Sequence, residues 1–585
     1  MRQVLSVTKM RTLPSWQQWK QLPRLLTPGE KKTLNAALGV FLFACLSLLG
    51  TYLFSHRVNV PAVGGAYTEG LVGEPRLLNP LYAQASDTDQ DLTRLIYSGL
   101  LRYDPEEGYV PDLAESLSVS EDGLTYTLKI KEHARFHNGE DVRARDVLFT
   151  VNAIQNPAYH SPLIDSFYRV SVVQEDERTV SFILEEPFAP FVQSLTVGIL
   201  PASLWAEILP QNAPLAALNL QPVGSGPYRF EAFAKDQRGS IRSYTLTRNE
   251  DFYDAPAFIE TITFKFYQDT MALGEALENK NVEGAGVVRL EDLERVAGNS
   301  EVQLLLPTIP QETILYLNQT VQPILGDLAV RSAIASAIDK QKIVEAVPLA
   351  RSQIIHAPIL EGQVGYDAGV QVAYNESQAH TLLEEAGYRL NADTGLRGVK
   401  GDGKQEDEDE QAAPATLGFT LTALDSEEMR AVAARLQEDF ANIGITLSLS
   451  FVPSDLMYSQ VIEPRNFELL LASILMEGDP NPYPFWHSTQ AKTGGLNFAN
   501  YSNADVDTLL LDGRKEMDAS VRAQKYQQFQ QLLAKDVPVV FLYQSRFAHA
   551  LAQKIRLDPP ARLVIPADRF ANVTSWYIKT KQVLR

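Results

Sequence analysis

The chain has 585 residues, of which 45% are hydrophobic and 21% are charged, a composition typical of globular domains. Its formal net charge of -20 disfavours a nucleic-acid partner, because affinity for phosphates comes mainly from Lys and Arg. The single cysteine, Cys45, excludes an internal disulfide framework and a cysteine-based zinc cluster. The length therefore predicts two or three domains that depend on their hydrophobic cores.

The first predicted element is a membrane-spanning helix over residues 33–54, which carry no charge. About 20 apolar residues suffice to cross the hydrocarbon layer of a bilayer. The preceding flank, residues 1–32, is predicted to be cytoplasmic because positive flanks stay on that side. Everything after Arg57 is then extracytoplasmic, in the periplasm or at the cell surface. The flank holds the acid Glu30 and the basic residues Arg2, Lys9, Arg11, Lys20, Arg24, Lys31 and Lys32.

Two other interpretations of the apolar segment stay open. A cleaved signal peptide has a shorter apolar region, about 7 to 15 residues, that ends at a small-residue site. A lipoprotein signal is suggested by the tetrapeptide from Leu42 to Cys45, although apolar sequence continues through Phe54. Both alternatives leave the rest of the chain outside the membrane, so the functional argument is the same in all three cases.

The next elements are a linker and two strands. Residues 55–65 contain Pro61 and two adjacent glycines and are predicted to be a linker. Residues 126–130 alternate apolar and polar side chains with the period of a half-buried strand. Residues 180–184 follow the same pattern less regularly. A strand is therefore predicted in each of these two places.

Helical periodicity appears in the second half of the chain. The apolar residues of 375–388 recur as in an amphipathic helix. In 417–451, an alternating segment, a helical segment and a second alternating segment follow one another, which predicts two parallel strands joined by a helix. Gly444 stands where that helix must end, and Asp425 or Ser426 stands where it needs a cap. An α/β domain is therefore predicted.

An acidic segment of low complexity lies between these two regions. Residues 391–416 include GDGKQEDEDEQAAPA and have too few apolar side chains to offset the entropy cost of ordering. They are predicted to be a disordered surface loop. The acids from Glu406 to Glu410 lack the spaced acid, glycine and glutamate pattern of a calcium loop, so we expect no calcium site there.

Residues 111–151, PDLAESLSVSEDGLTYTLKIKEHARFHNGEDVRARDVLFTV, resemble the signature of the peptide/nickel class of ABC-transporter solute-binding proteins. Other blocks resemble this family in the same order, and the resemblance covers residues 66–545. These blocks are Leu78-Asn79-Pro80, Ile96 to Leu100, Pro222 to Tyr228, Leu317-Asn318, Val330 to Asp339, Tyr374-Asn375, Ala386 to Tyr388, Asp479 to Ser488 and Tyr501 to Asp507.

The resemblance implies an α/β fold like that of periplasmic binding proteins, with two lobes, hinge strands and a solute enclosed between the lobes. Lobe I is expected to comprise 66–310, with an extra subdomain, and to be completed by 536–585. Lobe II is expected to comprise 311–535. The resemblance further implies a monomer without cofactor that delivers its solute to the permease of an ABC importer.

The candidate binding site follows residues 469–475, an apolar run typical of a strand buried on both faces. Open α/β sheets bind ligands at the carboxyl ends of their strands, which is where this loop lies. By resemblance, Asp479 is expected to fix the amino terminus of a bound peptide, with Glu477 as the substitute candidate. Asn481 and Tyr483, in the same loop, complete the predicted substrate-binding residues.

No metal site and no enzyme activity are predicted. His133 and His137 stand four residues apart, but they lie in a predicted strand and turn, where helical ligand spacing does not apply. Neither a Gly-x-Ser-x-Gly nor a His-Glu-x-x-His motif occurs, and Cys45 lies in the apolar segment. The alternatives to a peptide-binding component of an importer are the same fold binding an oligosaccharide or metal chelate, and a tethered sensor without a transporter.

Overall fold

The computed structural model describes residues 26–347, 352–398 and 416–584, together with Trp16 and Lys20. Most of the predicted basic flank and residues 399–415 of the predicted acidic loop lie outside these residues. The described residues form two compact units. One contains the chain up to Ala62 together with the residues from Lys579 onward, and the other is Val63–Ile578.

The α-helices are α1 (Pro28–Ser55), α2 (Asp87–Ile96), α3 (Ala144–Gln155), α4 (Ala202–Trp205), α5 (Thr270–Glu278), α6 (Leu293–Ala297), α7 (Leu328–Ala337), α8 (Lys340–Ala346), α9 (Glu376–Glu385), α10 (Glu427–Asn442), α11 (Ser454–Met457), α12 (Tyr483–Trp486), α13 (Ala504–Lys515) and α14 (Ala519–Asp536). The strands are β1 (Arg57–Ala62), β2 (Ala66–Val72), β3 (Leu101–Asp104), β4 (Gly108–Pro111), β5 (Ala114–Val119), β6 (Thr125–Ile130), β7 (Ser171–Gln174), β8 (Thr179–Ile183), β9 (Tyr228–Lys235), β10 (Ile241–Arg248), β11 (Thr261–Tyr267), β12 (Gly284–Ala285), β13 (Val302–Leu305), β14 (Thr308–Leu317), β15 (Ser352–Ile354), β16 (Gly418–Leu424), β17 (Thr446–Val452), β18 (Leu469–Leu475), β19 (Val539–Arg546), β20 (His549–Ala552) and β21 (Lys579–Leu584).

Helix α1, in the first unit, is long and apolar enough to cross a membrane, judged by length and composition. Its start is fixed by a capping box. The Thr27 hydroxyl accepts a bond from the backbone of Glu30, and the Glu30 side chain accepts one from the backbone of Thr27. This helix contains the whole of the predicted span 33–54 and is six residues longer.

Strand β1 follows helix α1 after the single residue His56 and pairs antiparallel with β21. Their register places Arg57 opposite Leu584 and Ala62 opposite Lys579. The predicted linker 55–65 is therefore wrong for residues 57–62. The partner strand comes from the other end of the chain, so no local pattern could reveal the pairing.

The second unit contains a seven-stranded first sheet in the order β13-β20-β12-β2-β11-β10-β9. A separate four-stranded antiparallel sheet, β5-β6-β8-β7, forms the extra subdomain. Its strands β6 and β8 are the two that the alternating pattern predicts, and Tyr126, Leu128 and Ile130 of β6 are fully buried. Side chains of the subdomain and of the first sheet share one hydrophobic core. The subdomain is therefore part of lobe I.

The second sheet has six strands in the order β15-β19-β14-β18-β16-β17. The predicted strand, helix and strand within 417–451 are confirmed as β16, α10 and β17, and the two strands are parallel. Ser426 caps α10 by accepting a bond from Met429 N, and Gly444 follows it with a φ of 77°. Helix α9 confirms the helix predicted in 375–388, and Asn375 is its N-cap.

Two connections join the first sheet to the second, at Leu306-Pro307 and at Phe547-Ala548. They lie side by side, since Phe547 N donates to Pro307 O at 2.8 Å. These connections are the expected hinge. Lobe I is accordingly 66–305 with 549–578, and lobe II is 308–546. Strand β19 belongs to the second sheet, so the return to lobe I occurs at 547–548 and not at 536 as predicted, because an apolar strand does not reveal which sheet it joins.

The acidic segment is ordered at its start. Arg397 is fully buried, and its guanidinium donates to the carbonyl oxygens of Ile443 and Tyr388. Residues 391–398 thus fold against the ends of α9 and α10, and the prediction of disorder from residue 391 is wrong for these eight residues. A single buried arginine in a polar segment produces no repeating pattern, so the sequence does not predict its burial.

Candidate ligand-binding cleft

Two adjoining cavities lie between the lobes, beside the carboxyl end of β18. Cavity 1 has a volume of about 390 Å³ and cavity 2 of about 520 Å³. They share four wall residues: Tyr103, Tyr109 and Val564 of lobe I and Gly478 of lobe II. Together the two cavities form a cleft with walls from both lobes.

The predicted binding loop follows strand β18 and lies in the wall of this cleft. Its first residues, Leu469 to Leu471, are fully buried between β14 and β16. Its last residue, Leu475, is 48% exposed in the wall of cavity 2. The predicted burial on both faces therefore holds for the first half of the strand, and the second half opens toward the cleft.

Gly478 brings the two lobes into contact. A Cβ atom at this position would lie 2.6 Å from the Tyr109 hydroxyl oxygen and 2.6 Å from Val564 Cγ2. Such distances are too short for a Cβ atom, so a larger residue at position 478 would require Tyr109 or Val564 to move.

Asp479 lines cavity 1 and forms an ion pair with Arg522 of α14. Arg522 Nη1 donates to Asp479 Oδ2 at 3.0 Å, and the two side chains are 9% and 11% exposed. Burial raises the pKa of the Asp479 carboxyl, and the charge of Arg522 opposes this effect. The other carboxylate oxygen, Oδ1, accepts no hydrogen bond from the part of the chain that the structure describes.

Glu477 lines cavity 2 and is exposed there. Desolvation by the surrounding protein and the negative charge of Asp479 raise the pKa of its carboxyl, although the side chains of Gln193 and Asn481 and the charge of Arg514 lower it. Among the described residues, no Lys or Arg forms an ion pair with Glu477. The two predicted acids therefore differ, since Asp479 is paired and Glu477 is not.

Asn481 and Tyr483 lie outside the walls of both cavities. The Asn481 Oδ1 atom is buried and has no hydrogen-bond partner among the described residues. The Tyr483 ring lies 4.5 Å from the guanidinium carbon of Arg514, and its centroid is 4.4 Å from that of the His487 ring. The structure thus brings Glu477 and Asp479 together in the cleft and places Tyr483 in a contact with Arg514.

Arg514 belongs to a second contact between the lobes, which we call the clasp: Glu186 and Phe188 of lobe I with Tyr483, Arg514 and Lys515 of lobe II. The Arg514 guanidinium lies between two rings, 5.0 Å from the centroid of Phe188 and 4.5 Å from that of Tyr483. Lys515 Nζ lies 2.6 Å from Glu186 Oε2. The clasp and the contact at Gly478 both join lobe I to lobe II.

His137 has a structural role. Its Nδ1 accepts a hydrogen bond from Gly224 N at 3.2 Å, and its Nε2 bonds to Gly226 O at 3.0 Å. Burial lowers the pKa of His137 to about 4, which keeps the ring neutral. Both ring nitrogens are engaged in positioning the segment from Gly224 to Gly226, so neither is available to a metal.

Several residues of the cleft were not predicted from the sequence. The lobe I wall comes from the hairpin of β3 and β4 and from the segment after β20, and Arg522 lies on a helix 43 residues after its partner. None of these positions has a motif or a periodic pattern that marks it. They are Tyr103, Tyr109, Gln193, Arg522, Val564 and Asp568.

Comparison with known proteins identifies the family of this chain. Residues 108–537 match the model of the bacterial extracellular solute-binding proteins, family 5. Oligopeptide-binding protein AppA of Bacillus subtilis is 26% identical over 556 residues, covering 92% of this chain and 97% of that protein. The structure of AppA in complex with a nonapeptide has a TM-score of 0.66 at 24% identity, with 89% of this chain and 100% of that chain covered.

NikZ from Campylobacter jejuni, solved in complex with Ni(L-His), has a TM-score of 0.68 at 24% identity, covering 88% of this chain and 99% of that chain. These structural neighbours confirm the predicted α/β fold of periplasmic-binding-protein type. The family match covers most of the chain and identifies a solute-binding protein rather than an enzyme. The chain belongs to the bacterial extracellular solute-binding proteins of family 5.

Proposed function

We propose that this protein binds peptides in the cleft and delivers them to the permease of an ABC importer, while helix α1 anchors it in the membrane. The observation that carries the proposal is the pair of adjoining cavities with walls from both lobes. A ligand that contacts both walls stabilises the closed arrangement relative to an open one. Recognition of that closed form by the permease would couple binding to import.

A peptide fits the cleft better than a compact solute does. Cavities 1 and 2 are adjoining and each is of the size that holds a small ligand, so together they provide room for a chain of several residues. Peptides are recognised mainly through backbone groups, which tolerates varied side chains. The relative named an oligopeptide-binding protein, and the nonapeptide in its structure, support the same class of ligand.

Asp479 is proposed to hold the amino terminus of the peptide. Oδ2 is occupied by Arg522, which leaves Oδ1 for the ligand in cavity 1. Pro480 and Pro482 restrict the backbone of this loop, so the carboxylate is positioned before the ligand arrives. A hydrogen bond between a carboxylate and a desolvated ammonium contributes about 1.5 to 3 kcal/mol.

The membrane anchor is proposed from the first unit. Helix α1 has the length and composition of a membrane span, and His56 alone separates it from β1. Strand β21 pairs with β1, so both ends of the exported chain meet next to the anchor. Such a tether would keep the binding protein close to a permease in the same membrane.

The test is calorimetry of the full-length protein with alanine pentapeptide, either with a free amino terminus or N-acetylated. We expect acetylation to weaken binding to the wild type about tenfold, the loss of one charge-assisted bond. Asp479→Asn should bind both peptides with nearly equal affinity. Asp455→Asn, at an exposed residue of α11 that lines neither cavity, is the matched control and should behave as the wild type.

Two results would count against the proposal in different ways. If neither peptide nor a mixed peptide library binds, peptide recognition is wrong. If peptides bind but acetylation weakens the wild type and Asp479→Asn equally, peptide recognition stands and the amine is held elsewhere.

A further inference from the structure

We propose that cavity 2 is a subsite for the positively charged side chain of a lysine or arginine in the bound peptide, with Glu477 as its counter-ion. This inference rests on the proposed function and specifies it, because it names the class of peptide that the cleft selects. It assigns a role to the second acid of the loop, separate from that of Asp479 in cavity 1.

The charges in the wall of cavity 2 do not balance. The charged residues of this wall are Arg94, Glu477 and Asp568. Arg94 Nη2 lies 3.4 Å from Asp568 Oδ1. The other oxygen of Asp568, Oδ2, accepts hydrogen bonds from the backbone nitrogens of Val564 and Ile565 at 3.3 Å and 3.0 Å. Arg94 and Asp568 therefore neutralise each other, and Glu477 carries the net charge of the wall.

Glu477 has no Lys or Arg ion-pair partner among the described residues, whereas Asp479 is paired with Arg522. The charges of Asp479 and Arg514 both act on Glu477, in opposite directions. The Arg514 guanidinium is in contact with the rings of Phe188 and Tyr483. A carboxylate in a cavity wall that lacks a cation gains energy when a ligand brings one to it.

The rest of the wall suits the side chain of such a ligand. Tyr97, Tyr103, Tyr109 and Phe167 line cavity 2, so the aliphatic stem of a lysine or arginine meets apolar surface. Tyr103 and Tyr109 pack edge to face with centroids 5.7 Å apart. Tyrosine ring faces attract cations, which adds to the effect of the carboxylate. At about 520 Å³ the cavity has room for a long side chain.

Acids outnumber bases among the exposed charged residues that line cavity 1. The acids are Glu106, Glu107 and Glu361, and the base is Arg562. An excess of exposed charges of one sign around a cleft raises the local concentration of oppositely charged ligands, an effect that salt screens. This excess of acids favours the approach of cationic peptides, and Glu477 provides the specific contact in cavity 2.

The test is a positional scan with the full-length protein. Each position of alanine pentapeptide is replaced in turn by lysine or by norleucine, which has a similar length but no charge, and affinities are measured by calorimetry. We expect one position at which lysine binds about tenfold more tightly than norleucine, as one charge-assisted bond allows. Glu477→Gln should remove this preference, so that lysine and norleucine bind with nearly equal affinity at that position.

Two further variants make the result specific. Glu477→Lys should reverse the preference at the same position, so that glutamate binds better than lysine there. Glu207→Gln, at an exposed residue that lines neither cavity, should leave the preference unchanged. Thermal unfolding of each variant establishes that it is folded.

The outcomes separate this inference from the proposed function. If pentapeptides bind but no position favours lysine over norleucine, or if Glu477→Gln keeps the preference, the inference is overturned while peptide binding stands. If no peptide binds at all, the proposed function fails and this inference fails with it.

Discussion

One buried site in lobe I and one in lobe II accommodate their carboxyl groups in different ways. In lobe I, Glu69 and Asp91 share the guanidinium of Arg569, which bonds to both, and all three side chains are buried. In lobe II, Glu312 of β14 is fully buried and neither of its carboxyl oxygens has a hydrogen-bond partner among the described residues. The first group is held by opposite charges, whereas the second has no cation beside it.

The difference shows what each of these two sites requires to keep an acid inside. At the Arg569 site, one guanidinium binds two carboxylates, and burial raises the pKa of Asp91 to about 6. At the Glu312 site, burial alone raises the pKa of the carboxyl far above its usual range, so that carboxyl is stable inside only when it is protonated. The Arg569 site thus depends on an intact set of charges, and the Glu312 site on a proton.

The largest effect is expected from removing the shared cation. Arg569→Met leaves Glu69 and Asp91 buried without their shared cation and should lower the free energy of unfolding by about 3 to 5 kcal/mol. Urea denaturation followed by circular dichroism measures this loss. Adding Glu69→Gln and Asp91→Asn should restore most of the stability, because no charge is then buried. If Arg569→Met lowers the free energy of unfolding by less than about 1 kcal/mol, the charge of Arg569 does not stabilise Glu69 and Asp91.

Glu312→Gln is expected to have the opposite effect from Arg569→Met and to stabilise the protein. The folded pKa of Glu312 is above the unfolded value of 4.5, so the unfolded chain releases the proton first as pH rises. The wild type therefore loses about 1.4 kcal/mol per pH unit above that value until the folded carboxyl itself titrates. The variant lacks this loss and should be about 1 to 3 kcal/mol more stable than the wild type at pH 7.

The pH dependence is the control for Glu312. At pH 4 the wild type and Glu312→Gln should have the same free energy of unfolding, since both side chains are then largely neutral. A difference between them that stays constant from pH 4 to pH 8 would indicate a packing effect and contradict the protonated state.

Asp479 is intermediate between the Arg569 site and Glu312, because it is paired with a cation but borders a cavity. Arg522→Gln should lower the free energy of unfolding by about 1 to 2 kcal/mol, less than Arg569→Met does. It should also strengthen binding of peptides with a free amine about threefold, since the ligand no longer shares Asp479 with Arg522. Affinity for N-acetylated peptides should not change. Equal strengthening of both peptides, measured by calorimetry, would contradict the shared carboxylate.

The clasp extends the comparison to charges at the surface. Arg514→Ala removes a cation from between two aromatic rings and should weaken peptide binding about three- to tenfold by destabilising the closed arrangement. Lys515→Ala is the matched control. Its pair with Glu186 is 43% and 68% exposed, and such pairs contribute little, so the change should be below about twofold. Equal effects of the two variants would show that the ring contacts are unimportant.

Local patterns in the sequence were sufficient for elements whose burial repeats along the chain. Strand β6, helix α9 and the unit of β16, α10 and β17 were predicted because apolar residues recur there at the period of a strand or a helix. Strand β18 was predicted from a continuous apolar run, and the acidic loop was chosen because it follows the carboxyl end of that strand. The family resemblance supplied the two lobes and the hinge.

Contacts between distant parts of the chain could not be predicted in this way. The pairing of β1 with β21 joins the two ends of the exported chain, and Arg522 meets Asp479 only because α14 packs beside the binding loop. The same holds for Tyr109, which reaches Gly478 across the cleft. A residue that acts through a partner from another lobe has no periodic neighbours, so its role appears only in the folded structure.

The central claim is that the cleft holds peptides, and the most direct test identifies what the protein carries. The full-length protein is purified in mild detergent, its bound ligands are released by denaturation, and they are identified by mass spectrometry. We expect peptides of several residues, enriched in lysine and arginine, and their loss when the protein is first exchanged against excess synthetic peptide. Recovery of a sugar or a metal chelate in their place, with no binding of added peptides, would contradict the account.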